Sequence, residues 1–130
     1  TRPVIAGNWK MNLEPDQVRS FFATFKNADL RQLEVEFLLF PSALSFSAAV
    51  EARPEDPSVA LGVQNVHWEE SGAFTGETSV GMAKGAGATH VLIGHSERRA
   101  YHGESDQLVA EKFAAARKVG LVLLLLWYLR

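Results

Sequence analysis

The sequence has no cysteine in 130 residues, which removes disulfides and thiolate metal sites without fixing a compartment. It also lacks lysine and arginine runs, and a formal net charge of -2 speaks against a nucleic-acid or anionic-membrane surface. Long hydrophobic runs are missing too. The longest, Leu121 to Leu129, falls well short of the ~18 apolar residues needed to span a bilayer. No leader-like stretch precedes Pro3, so no secretory signal is expected. His67, His90 and His102 show no compact ligand spacing with carboxylates, so no metal is expected. Gly81, Gly85 and Gly87 follow a long loop rather than a strand and lack the GxGxxG spacing, so no dinucleotide cofactor is expected either. The GHSER segment also lacks the GxSxG elbow of a serine hydrolase. What survives these exclusions is the expectation of a single soluble, cytoplasmic domain and little more.

What the sequence does contain is a regular alternation of strand-like and helix-like segments, the pattern of a parallel sheet wrapped by helices. Val4 to Asn8 reads as strand one. In the segment that follows, Val18, Phe21, Phe22 and Phe25 fall at i, i+3, i+4 and i+7, which predicts a helix packing that face on the sheet. Pro15 suits its first turn. Val35 to Phe40 reads as strand two and Ala43 to Ala52 as a helix, broken by the proline-rich 53–57 segment. Val59 to Val63 is strand three, and Gln64 to Thr78 is a long loop. The next helix carries Gly81, Gly85 and Gly87, each costing about 1 kcal/mol relative to alanine, and is expected to be short. The last helix, capped by Ser105 and Asp106, places Val109, Phe113 and Ala116 on one face and ends at Gly120. It is expected to be the most regular of four main helices. Leu121 to Leu126 reads as a buried fifth strand, with Trp127, Tyr128 and Leu129 beyond it.

Chemistry concentrates where two strands end. Val91, Leu92 and Ile93 form a short apolar run of the kind buried on both sheet faces, Gly94 ends it, and His95-Ser96-Glu97 follows. A histidine at the carboxyl end of a parallel strand suits proton transfer or carbonyl polarisation; capping a turn is the plainer reading. Near the amino terminus, strand one exits into Asn8-Trp9-Lys10-Met11-Asn12, setting an amide and a cation at the corresponding position.

Together, AGNWKMN, VQNVHWEESGAFTGETS and IGHSERR, in this order, resemble the triosephosphate isomerase family over roughly residues 3 to 120. That family is itself a common example of acid and base groups tuned by their surroundings. The resemblance implies an α/β fold, a parallel β-sheet with flanking helices forming a partial (half) TIM (β/α)8 barrel. It implies interconversion of dihydroxyacetone phosphate and glyceraldehyde 3-phosphate through an enediolate, with neither cofactor nor metal. His95 matches the electrophile that polarises the substrate carbonyl, and a short helix starting at Ser96 would aim its positive end at the ring. Lys10 matches the substrate-binding cation, and Asn8 the asparagine that orients lysine and substrate. Glu97 matches the acid near that lysine; an ion pair with Arg98 or Arg99 is its bland reading. Ser96 is expected to act only as a helix cap. Thr75 matches a loop threonine that contacts a second subunit, and Met11 and Arg98 match residues supporting that interface.

Two features set this chain apart from the family. A complete barrel needs about 250 residues, and the catalytic glutamate base, lid and main phosphate loops of the family belong to its later half, which nothing here resembles. The tail LVLLLLWYL replaces a shorter strand leading to a polar turn with a glutamate. The 130-residue chain is therefore expected to be inactive or nearly so on its own, since loss of a positioned base typically costs about 10² to 10⁴-fold. An incomplete barrel also leaves inner side chains and the edges of strands one and five without partners. That predicts self-association or pairing with a complementary half-barrel. The rival expectation is a non-catalytic half-barrel assembly module; a phosphosugar-binding module would need more of an anion site than Lys10 provides.

Overall fold

The computed structural model describes residues 2–28 and 30–125. Residues 126 to 130, including the expected projection of Trp127, Tyr128 and Leu129, lie outside the described residues. The chain divides into two compact units, residues 1–64 and 65–130.

In the first unit, β1 (Val4–Asn8), β2 (Glu36–Phe40) and β3 (Val59–Val63) run parallel in chain order, with Val4 opposite Glu36, Asn8 opposite Phe40, and Phe37 opposite Val59. Helix α1 spans Pro15–Asn27. It starts where expected because Pro15 fits the first turn and Glu14 and Gln17 form a reciprocal capping box. Its predicted apolar face is real: Val18 and Phe22 are wholly buried, and Phe25 meets the Phe37 ring of β2 edge-on, centroids 5.1 Å apart. Trp9 extends this aromatic ladder, 4.9 Å from Phe21. A 3₁₀ turn at Arg31–Leu33 leads into β2. The helix expected at 43 to 52 is divided into a 3₁₀ turn, Ala43–Ser45, and α2, Phe46–Ala52.

In the second unit, the loop after residue 64 closes through a parallel bridge of His67 with Ser79. Helix α3 (Val80–Gly85) is short, as its glycines demand, and is capped by Ser79 Oγ accepting from Met82 N. Strands β4 (His90–Ile93) and β5 (Val122–Leu125) pair in parallel, with Ile93 opposite Leu125. Val91, Leu92 and Ile93 are buried. Helix α4 (Ser96–His102) is a full seven-residue helix beyond the four main ones, and α5 (Asp106–Lys118) follows a Ser105 cap. At thirteen residues α5 equals α1 in length.

The fifth strand departs from expectation. Among the described residues it runs Val122–Leu125, beginning one residue later than expected, and it is not buried: Val122 is 55% and Leu125 42% exposed. Only β4 borders it among the described residues. β1 at the outer side of its own sheet behaves alike, with Val4 and Ile5 half exposed. These are the uncovered strands that an incomplete barrel predicts.

Candidate active site

The exit of β1 is built from backbone geometry. Lys10 adopts a left-handed conformation, φ +54°, and Leu13 does the same at φ +65°; such angles are uncommon for residues with a β-carbon. The side chain of Asn8 explains the first of these turns. Its Oδ1 accepts the Lys10 backbone N–H at 2.9 Å, so the asparagine shapes the turn that presents the lysine. Gln64 donates from Nε2 to the Lys10 carbonyl and to the Phe40 carbonyl, each at 2.9 Å. Asn12 Nδ2 donates to the Trp9 carbonyl, and the buried Ser45 Oγ donates to the Leu13 carbonyl at 2.7 Å. Asn8 and Lys10 are thus brought together, with Lys10 exposed at the carboxyl end of the strand.

The exit of β4 is built by helix capping. Gly94 turns the chain at φ +75°, where a β-carbon would press on Val109 at 3.4 Å. His95 is then the N-cap of α4. Its Nδ1 accepts the Glu97 backbone N–H at 3.1 Å, and the Glu97 carboxylate lies 3.6 Å from the same nitrogen. Because a backbone N–H can only donate, Nδ1 carries the lone pair and Nε2 carries the proton. The ring is mostly buried, with its side chain 17% exposed, whereas that of Glu97 is 45% exposed. His95 and Glu97 are brought together here. The cap expected of Ser96 belongs to His95; Ser96 is the exposed first residue of the helix.

The remaining candidates are more scattered. Thr75 is exposed on the long loop, next to Phe74, which packs at a tilt against the buried His67, centroids 4.2 Å apart, while Trp68 stacks on the same ring at 4.1 Å. Gly72 is required in this loop, since φ is +140° and a β-carbon would collide with the Phe74 ring at 2.7 Å. Met11 is almost fully exposed. Arg98 is not a free surface residue, as its Nε donates to Glu104 Oε2 at 2.9 Å.

That contact opens onto a cluster that the sequence reading missed. Glu104 and Lys112 are both buried, Lys112 Nζ lies 3.0 Å from Glu104 Oε2, and the same ammonium donates to Asn65 Oδ1 at 2.7 Å. Burial alone pushes the Glu104 carboxyl up, but hydrogen bonds from Lys112 and Arg98, and then their charges, outweigh it and hold it below the usual carboxylate range. A signal was available: Lys112 falls three residues after Val109 and four before Ala116, inside the apolar stripe of α5. A lysine in that stripe calls for a buried acidic partner. Gln64 and Ser45 gave no comparable signal.

Among the described residues no group of three or more His, Asp or Glu could hold a metal ion, and no helix is long and apolar enough to cross a membrane.

Parallel strands joined through helices, with the polar candidates at the carboxyl ends of β1 and β4, define a chain of the α/β-barrel class. The family model for triosephosphate isomerase matches residues 3–125, and the chain belongs to that family. It is 42% identical over 120 residues to the triosephosphate isomerase of Solibacter usitatus, covering 92% of this chain and 48% of that protein. It is 46% identical over 122 residues to that of Vibrio vulnificus, covering 92% and 47%. The crystal structure of triosephosphate isomerase from Bartonella henselae superposes with a TM-score of 0.82 at 39% identity, covering 96% of this chain and 51% of that one. The fold is that of a partial TIM barrel, and the chain spans about half the length of the curated relatives it matches.

Proposed function

We propose that this chain supplies the electrostatic half of a triose phosphate isomerase site, acting on dihydroxyacetone phosphate and glyceraldehyde 3-phosphate in the glycolytic and gluconeogenic direction of a cytoplasmic enzyme. The observation that carries the reading is the hydrogen bond that the Glu97 backbone N–H gives to His95 Nδ1. With Nδ1 occupied by the Glu97 N–H, Nε2–H is the group able to donate to a substrate carbonyl and, in turn, to relay a proton between the two oxygens of an enediolate. Lys10 supplies the positive charge for the enediolate and phosphate, Asn8 sets the turn that presents it, and the Glu97 backbone N–H steadies the imidazole. The reaction needs a base to remove the substrate carbon proton, and that base comes from the complementary half of a barrel rather than from these residues. Alone, the chain binds substrate weakly and turns over little or none.

Titration of the ¹⁵N-labelled 130-residue chain with dihydroxyacetone phosphate tests this. The Lys10 amide and His95 ring resonances are expected to shift, and the Lys10→Met variant to lose the response. Shifts that persist in Lys10→Met, or that spare both residues at millimolar substrate, would refute the reading.

The half-exposed apolar strands favour a second, assembly-only reading: Val4, Ile5, Val122 and Leu125 offer apolar surface that self-association or a complementary half-barrel would cover. Exposed Thr75 beside Phe74, and Met11, are the candidate contacts to a second subunit, with Arg98 supporting them from its buried pair. An oligomer by sedimentation with no response to substrate at Lys10 would select this reading over the enzymatic one.

A further inference from the structure

The β1 exit contains two left-handed residues that are not glycine, Lys10 and Leu13, only three positions apart. Such backbone persists only where its surroundings over-determine it. Here the carbonyl of each strained residue is gripped by a side chain from far along the chain. Gln64, the residue after β3, holds the Lys10 carbonyl and, through the same nitrogen, the Phe40 carbonyl at the end of β2. The Trp9 N–H also donates to Phe40, at 3.1 Å. Lys10 is therefore fastened to the carboxyl end of β2 and, through Gln64, to that of β3.

Ser45 holds the other end. It occupies the N-cap of α2, a position where serine normally gives its oxygen to a helix N–H, yet it makes no such cap bond. Its hydroxyl donates instead to the Leu13 carbonyl at 2.7 Å, with the residue 2% exposed. A cap interaction is forgone and a tertiary brace is made in its place. Between the two braces Met11 is exposed and Asn12 reaches back to Trp9. The segment from Lys10 to Leu13 is consequently fixed at both ends by non-local bonds and closed locally by asparagines.

We infer that Ser45 and Gln64 are positioning residues for Lys10: they touch no substrate, and they hold the strained turn that aims the lysine. This deepens the function proposed above and rests on Lys10 being the substrate cation. Release of either brace lets the turn relax toward ordinary φ and displaces the ammonium. Displacements of about 1 Å are known to be costly to catalytic sites.

The experiment is NMR on the ¹⁵N-labelled full chain, in which a strong intraresidue HN–Hα cross-peak marks positive φ. Wild type is expected to show it at Lys10 and Leu13; its absence there overturns the inference before any variant is made. Ser45→Ala should lose the Leu13 signature and Gln64→Met the Lys10 signature, with both weakening the Lys10 response to dihydroxyacetone phosphate several-fold while resonances of β2 and β3 stay in place. Leu13→Gly, which accepts positive φ without a brace, should restore the response in the Ser45→Ala background. Retention of both signatures and of the full response in the two variants overturns the inference. So does loss of the signatures with an unchanged response. Should Ser45→Ala fail to fold, Gln64→Met alone decides on the same two readouts. Should wild type ignore the substrate, the proposed function falls, and the cross-peaks in the variants still decide whether the braces set the lysine turn.

Discussion

The β1 exit and the β4 exit solve the same problem by different means. At β1 a lysine is presented by strained backbone, and the bonds that sustain the strain come from Gln64 and Ser45, 54 and 32 residues away from their acceptors. At β4 a histidine is fixed by the helix it caps, through a bond to an N–H two residues on. Their further support also differs. Neutral amide and hydroxyl groups brace the first, whereas the helix carrying the second is tied by Arg98 to a buried carboxylate that Lys112 neutralises. One site is therefore sensitive to distant neutral substitutions, and the other to charge.

The largest effect expected from breaking this comparison is at Lys112. Lys112→Met strips Glu104 of its closest buried counter-charge, and removing one partner of such a pair typically costs about 3 to 5 kcal/mol, read as a lower urea midpoint. A Glu104→Leu/Lys112→Met double variant should recover much of the loss, because neither charge is then stranded.

Acid should separate the two exits without any mutation. The folded Glu104 carboxyl lies below its ordinary value, so its contribution is fully present above the unfolded value of about 4.3 and is lost as pH falls through the lower folded one. Hydrogen exchange should therefore report opening of α4 and α5 on acidification before the Gln64 bonds at β1 are affected. Simultaneous opening in Glu104→Leu/Lys112→Met and wild type would show that the cluster is not the acid-sensitive element.

Next in size, Gln64→Met removes the Lys10 carbonyl's side-chain donor and leaves the Phe40 carbonyl with the Trp9 N–H alone, and should cost about 1 to 3 kcal/mol, measured by thermal unfolding. His95→Ala removes a cap and should cost about 1 kcal/mol, and His95→Asn, a good cap residue, should cost less. At the bottom of the scale, Asp106→Asn breaks the exposed pair with Arg99 and should change stability by less than about 1 kcal/mol. A cost above that of His95→Ala would show that α4 is held from its carboxyl end rather than by its cap.

Much of this was readable in the sequence for a physical reason: periodicity and turn chemistry are local. The Val18, Phe22 and Phe25 stripe, the Pro15 start, the glycine-weakened α3 and the Ser105 cap follow from neighbours within a few positions, and the AGNWKMN and IGHSERR motifs pointed to the two strand exits. What escaped depends on tertiary partners. The burial of Glu104 is set by α5 and Asn65, the braces of Lys10 and Leu13 are set by residues tens of positions away, and the exposure of β5 depends on what lies beside it. The helix cap falls to His95, for which capping a turn was the plainer reading of the sequence, and not to Ser96, which residue pattern alone favours as a cap.

The left-handed pair at Lys10 and Leu13 also bears on how this chain would respond to selection. Each angle costs a residue with a β-carbon about 1 to 2 kcal/mol, and glycine at position 13 escapes that cost. A library ranked only by survival of heating would drift toward Leu13→Gly and become indifferent to Ser45, whereas one ranked by substrate capture would keep the hydroxyl or the glycine but never lose both. The turn thus separates two evolutionary pressures within four residues, and the pairing of substitutions at 13 and 45 among selected clones would reveal which pressure had acted.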